Sequence, residues 1–286
     1  MDGSTYGGLL IRDDLKTSGD RVADGALTAQ LAASETVLRD AWRVRHAAYS
    51  SQGYIEPRAS GMFVDECDHY PSSKTVVIYK HDAPVATVRV CLYAPQSGIS
   101  GTDAVPAMDV FHDEITTLLP PFGDDGRPAR AVEVMRLARH PDVATEHEPV
   151  FALFQMVGYL ILLLQADAVI SAVRAHHMPF YRRLGFQKVT EPRPYPKLRF
   201  LTGLMACLRR EGEGIEASMP ILRMLSHHDA VYQDFVSGRR VPVLGAERFP
   251  SGLGRLFNAV PDPAVQPAVM PRQVPQRRAR PLPLAA

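Results

Sequence analysis

The chain has 286 residues, 46% of them hydrophobic, enough to core one large domain or two small ones. Its 32 Lys+Arg against 31 Asp+Glu leave a formal charge of +1, so no global field draws it to nucleic acid or to a membrane surface. Three widely spaced cysteines, Cys67, Cys91 and Cys207, make neither a disulfide framework nor a zinc knuckle and suit a reducing cytoplasm. The N-terminus has no basic flank leading into an apolar core, so no signal peptide is expected. The greasiest run, residues 150–166, is broken by Gln155 and Gly158 and falls short of the roughly 20 residues of a membrane span.

Residues 1–33, rich in Gly, Asp, Ser and Thr, read as a mobile leader with one short strand near residues 9–12. Ser34 before Glu35 predicts the N-cap of a helix through about Tyr49, with Val37, Leu38, Ala41, Val44, Arg45 and Ala48 on one face. Arg45 borders that apolar stripe, where an arginine ordinarily snorkels to solvent. A loop at 50–61 leads to the acidic cluster Asp65-Glu66-Cys67-Asp68, which on composition alone reads equally as a solvated turn. Residues 74–80 and 84–93 predict two antiparallel strands joined by His81-Asp82-Ala83. Arg89 stands mid-strand with Thr87 and Cys91 on its face, either on a wet surface or aimed at a site.

Residues 94–126 are loop-rich, with a short helix at 109–119 that can cover a pocket. Ala131–Arg139, AVEVMRLAR, is an apolar strand that carries Glu133 and Arg136. Desolvating either charge costs several kcal/mol unless it is paired or used. Residues three apart face opposite sides of a regular strand, so both reach one site only through a bulge or splay near 134–136. The alternative is a structural ion pair at a strand end. A polar connection at 140–148, a helix at 149–165 apolar nearly all round, and a buried strand at Ala168–Arg174 follow. A helical turn at 179–184 then ends on Gly185 before a last strand at 186–190. This order predicts an α+β sandwich around a mixed sheet.

Beyond Cys207 the signal supports one helix within 219–237. Residues 250–286, with eight prolines and five arginines against one aspartate, read as a Pro-rich basic tail. The expected organisation is a leader at 1–33, a catalytic domain at 34–210, a helical extension at 211–249 and the tail at 250–286. His176-His177 and His227-His228 are adjacent pairs without an i, i+4 partner, so no metal site is expected.

The segment at 179–186, PFYRRLGF, resembles the end of the GNAT acyltransferase fold, whose element order matches that above. In that family the tyrosine commonly protonates the departing thiolate, and Tyr181 is the matching position; a core tyrosine with a satisfied hydroxyl is the alternative. GNAT enzymes that use acetyl-CoA carry Arg/Gln-x-x-Gly-x-Gly/Ala before the next helix, whose N-terminal N–H groups hold the pyrophosphate. From Arg136 this chain reads RLARHPDVATEHEPVF, without glycine and with Glu146 and Glu148 where the phosphates would lie.

The acyl-homoserine-lactone synthases and the N-acyl amino acid synthases do without that loop and take acyl chains from acyl carrier protein. Arg45-x-x-x-Tyr49, Asp65-x-x-Asp68, Ala86-Thr87-Val88-Arg89 and Glu133-Val134-Met135-Arg136-Leu137-Ala138 resemble their four charged motifs, in order. The resemblance covers about residues 37–208. Met135 for the usual serine, Ala86 for glycine and a one-residue offset at Tyr54 are departures. Tyr195-Pro196-x-Leu198 and Thr202-Gly203-Leu204 are more similar to the amino acid synthases.

The resemblance implies N-acyl transfer from acyl carrier protein to a small amine, an amino acid by preference, with no cofactor beyond the acyl thioester. Glu133, Arg136 and Tyr181 are the implied catalytic set, with Arg45, Tyr49, Asp65, Asp68 and Arg89 around the substrate. The chemistry agrees. A semi-buried Glu133 has its pKa raised toward neutrality and can take a proton from an amine, while N–H groups turned out by a bulge can hold a tetrahedral oxyanion. Arg174, Arg182, Arg183 and Lys188 are candidates for a basic patch facing the acidic carrier. An acetyl-CoA-dependent GNAT enzyme, a lactone synthase and a GNAT-like binding module without catalysis remain as alternatives.

Overall fold

One nine-stranded mixed sheet organises the computed structural model, which describes residues 26–119, 122, 126–195, 200–210 and 213–243. The strand expected near residues 9–12, Pro196, Leu198 and the tail at 250–286 lie outside the described residues. After β1 (Leu27–Leu31), Ser34 caps α1 (Glu35–Ser51) by accepting the Val37 N–H. The hairpin β2 (Ser73–Lys80) and β3 (Ala83–Tyr93) turns through His81 and Asp82, both at positive φ (47° and 64°). Two consecutive left-handed residues give the turn whose twist matches that of paired strands.

Then come α2 (Met108–Leu118), β4 (Ala131–Arg139), α3 (Glu148–Leu164), β5 (Ala168–Arg174) and the short helix α4 (Met178–Arg183). The sheet order is β6-β8-β5-β4-β3-β2-β1-β9, where β6 is Gln187–Lys188, β8 is Leu201–Leu208 and β9 is Val241–Pro242; β7 (Arg193–Pro194) pairs with β8. Helix α3 lies on one face within the main core, while α1 and α2 cover the other. No helix among the described residues is long and apolar enough to cross a membrane.

Two expectations are corrected. The strand expected at 186–190 is only β6, Gln187–Lys188, and it is not the last, because β8, inserted between β5 and β6 in the sheet, and β9 follow it in the chain. Leu201–Leu208 reads LTGLMACL and is covered on both faces, so it lacks the alternation that marks a half-buried strand. The single helix expected in 219–237 is a 3-10 turn at Pro220–Met224 followed by α5 (Ala230–Val236). Asp229 breaks it by accepting the Ser226 N–H at 2.9 Å, and the same carboxylate accepts the Tyr159 hydroxyl at 2.8 Å. Residues Leu222, Leu225, Tyr232 and Phe235 thereby join the core on α3.

Candidate active site

Strand β4 parts from β5 in mid-course. The two pair in parallel only over Ala131–Glu133 against Ala168–Ile170, and at the point of separation the Ser171 hydroxyl donates to the Val134 carbonyl at 2.8 Å. On its other edge β4 changes register against β3: Ala138 opposes Thr87 and Met135 opposes Arg89, so Arg136 and Leu137 together face Val88. That is a β-bulge, and Arg136 sits in it at φ 54°. A non-glycine residue there costs about 1–2 kcal/mol. The strand thus has both the splay and the bulge that bring the Glu133 and Arg136 side chains to one site.

Behind the bulge lies a buried ionic cluster. Arg45 Nη1 stands 2.6 Å from Asp68 and Arg89 Nη1 2.9 Å from the same carboxylate. Arg89 also donates to both oxygens of Asp65, at 2.6 and 3.1 Å, and Arg136 reaches Asp65 Oδ2 through Nε at 2.9 Å and Nη2 at 2.8 Å. The carboxylates are positioned locally: the Asp65 side chain takes the Cys67 N–H while Asp68 takes the Asp65 N–H, a capping box on the 3-10 turn Glu66–His69. The acidic cluster is therefore no solvated turn. Arg45 does not snorkel either; it is wholly buried, because Asp68 meets it inside. Burial alone would raise the Asp65 pKa, but Arg89 and Arg136 hold it down at about 2. Asp68 is lowered in the same way, with Arg45 and Arg89 outweighing desolvation.

Glu133 is buried and accepts the Ala107 N–H at 2.9 Å, at the entry to α2, which has no side-chain cap of its own. Burial lifts its pKa to about 7, against the pull of Ala107, Arg89 and Arg136. The cluster counts three guanidiniums against two carboxylates, so an ionised Glu133 is the anion that would balance it. Tyr181 is packed among Phe154, Phe180 and Phe186, and burial raises its pKa, with a hydrogen bond to the Ser171 hydroxyl acting in the opposite direction.

A cavity of about 340 Å³ opens where β4 and β5 separate, with Tyr49, Glu133, Arg136 and Tyr181 on its wall. Arg45, Asp65, Asp68 and Arg89, expected around the substrate, are not on that wall. They stand behind it and act through Arg136 and through Met135, whose Sδ lies 3.4 Å from Arg89 Nη2. Tyr195 and Thr202 are among the wall residues that had no predicted role. The hydroxyls of Tyr195 and Thr202 are shielded from solvent and have no hydrogen-bond partner among the described residues. Their segments marked a family likeness, but only the fold brings them to the cavity.

The family model of the N-acyl amino acid synthase FeeM matches residues 40–207, more than half of the chain. The chain belongs to the FeeM family. Among solved structures it is similar to FeeM, an N-acyl amino acid synthase from uncultured soil microbes, at 17% identity and TM-score 0.54, over 71% of this chain and 99% of that one. It also matches the AHL synthase LasI at 11% identity and TM-score 0.49, over 69% of this chain and 94% of that one. A search of the curated proteins gives no match.

This FeeM-family chain is an acyltransferase, and the start of its α3 bears on the donor. Pro149 has no N–H, and those of Val150 and Phe151 go to the His147 carbonyl at 3.1 Å each. Glu146 pairs with Lys80 at 2.8 Å, and its carbonyl accepts from Arg139. Of the four basic-patch candidates, Arg182 and Arg183 are exposed beside Tyr181 on α4 and Lys188 pairs with Glu191, whereas Arg174 is built into the cavity wall. Among the described residues no group of three His, Cys, Asp or Glu side chains is placed to hold a metal.

Proposed function

We propose that the chain moves a fatty acyl group from the thioester of acyl carrier protein to the amine of a small acceptor, an amino acid by preference, in the cytoplasm. The observation that carries this is Glu133, a buried carboxylate with a pKa of about 7, on the wall of a cavity formed by a bulged and splayed strand. The amine nitrogen attacks the thioester carbonyl carbon and a C–N bond forms. Glu133 takes the proton from nitrogen, directly or through one water. As the C–S bond breaks, the thiolate takes a proton from the Tyr181 hydroxyl. Arg136, held by Asp65, borders the reacting centre, and Arg45, Asp68 and Arg89 fix that pair in place.

The start of α3 favours a carrier-protein donor over CoA, because Pro149 has no N–H, that of Val150 goes to the His147 carbonyl and two glutamates stand where a pyrophosphate would lie. Three free cysteines suit a reducing compartment.

The test is to incubate purified protein with long-chain acyl carrier protein or the matching acyl-CoA and an amino-acid panel, with mass spectrometry of the products. N-acyl amino acid formed from the carrier donor at higher kcat/KM supports the proposal. Folded protein that yields no product with any donor overturns it.

A further inference from the structure

We propose that Arg174 and Thr202 form the subsite for the phosphate at the far end of the donor's pantetheine arm; this rests on the thioester-dependent transfer proposed above. The two residues oppose each other across the β5–β8 ladder, so their side chains leave the same face, and both lie on the cavity wall. Thr202 is 2% exposed, and its hydroxyl has no partner among the described residues. A buried hydroxyl left unsatisfied is a free-energy cost that a ligand oxygen would relieve.

The Arg174 guanidinium packs against a pair of touching rings, 4.6 Å from the Tyr54 centroid and 5.0 Å from that of Phe200, and gives one N–H to the Tyr54 hydroxyl. Among the described residues no carboxylate pairs with it. Its plane is fixed while donors remain for an oxyanion, the arrangement that suits bidentate phosphate binding.

Position decides which anion fits. Arg174 lies four residues beyond Ile170, the register partner of Glu133, or about 13 Å along the strand. The α-carboxylate of an acceptor is two bonds from the attacking nitrogen and cannot span that distance. A pantetheine arm, with its thioester at one end and its phosphate at the other, can. The alternative phosphate position, at the start of α3, lacks an N–H at Pro149, has that of Val150 engaged by His147 and is flanked by Glu146 and Glu148. The phosphate is therefore placed across the cleft, on the β5 side.

Calorimetric titration of the full chain with 4′-phosphopantetheine and with pantetheine tests this without turnover. The wild-type chain should bind the phosphorylated ligand about 10- to 100-fold more tightly. Arg174→Gln should reduce that ratio toward one, and Thr202→Val should reduce it in part, with pantetheine affinity unchanged and the melting temperature not lowered in either variant. Equal affinity of the wild-type chain for both ligands, or no binding of phosphopantetheine, overturns the subsite. So does an Arg174→Gln chain whose only defect is a higher KM for the acceptor.

Assays with acyl-phosphopantetheine, acyl-CoA and acyl carrier protein then identify the source. A loss confined to the carrier donor assigns the carrier's phosphodiester, and an equal loss with acyl-CoA assigns the phosphate chemistry common to both. Absence of turnover with every donor refutes the proposed function but leaves the binding ratio to judge the subsite.

Discussion

Glu133 is held in two opposing ways, by a core that disfavours its charge and by a cluster with one guanidinium in excess. Its pKa of about 7, against an ordinary 4.5, makes turnover dependent on ionisation, so kcat/KM should rise with pH through about 7. Glu133→Gln should lower kcat by about 10²–10⁴-fold and remove that limb of the pH profile. The stability effect has the opposite sense. The folded chain binds this proton more tightly than the unfolded one, so the contribution is complete below about 4.5 and is lost as pH rises through 7. Glu133→Gln should therefore melt above wild type at pH 8, by up to about 3 kcal/mol, with the gap closing by pH 5.

The Arg45–Asp68 pair responds differently, since removing one partner strands a buried charge. Asp68→Asn should cost about 3–5 kcal/mol in urea denaturation, because Arg45 loses its carboxylate, and adding Arg45→Met should recover part of it. The odd spacing of Glu133 and Arg136 was legible in the sequence. The burial of Arg45 was not, because its partner lies 23 positions away and meets it only in the fold.

At the scale of elements, hydrophobic periodicity located α1, β2, β3, β4, α3 and β5, and Gly185 was recognised as the stop of α4. The structure adds a second reason for that glycine. It sits at φ 101°, and a Cβ there would come 2.0 Å from the Ser218 carbonyl oxygen. Gly158 on α3 offers a comparison, since a Cβ would come 2.3 Å from a Leu225 methyl, which can rotate away. Gly185→Ala should cost about 2 kcal/mol or more and Gly158→Ala less, as measured by thermal melts at one pH. Equal losses would show that the Ser218 backbone yields as easily as a leucine side chain. The bulge was predictable as a need of the site. The short elements after β5 were not, because their identity depends on what covers them.

Over the whole molecule, α3 is buried by the sheet on one side and by residues 215–235 on the other. The family match ends at 207, yet a chain stopped after Arg210 would bare Gly158, Tyr159 and their neighbours. Such a chain should be poorly soluble and light-scattering where the full chain is not. A well-folded truncated chain would show instead that α3 needs no such cover. Composition suggested an extension here but could not say that it closes the core, since each contact joins segments far apart in sequence.

The pairing of Thr28 with Pro242 and of Ala29 with Val241 also sets a timetable for synthesis. Strand β1 leaves the ribosome among the first described residues, but its outer edge gains a partner only some 210 residues later. At about 5–20 residues per second the nascent chain carries that open edge for roughly 10–40 s. An unpaired edge is a template for pairing with another chain, so crowded polysomes are where this protein is most exposed to aggregation.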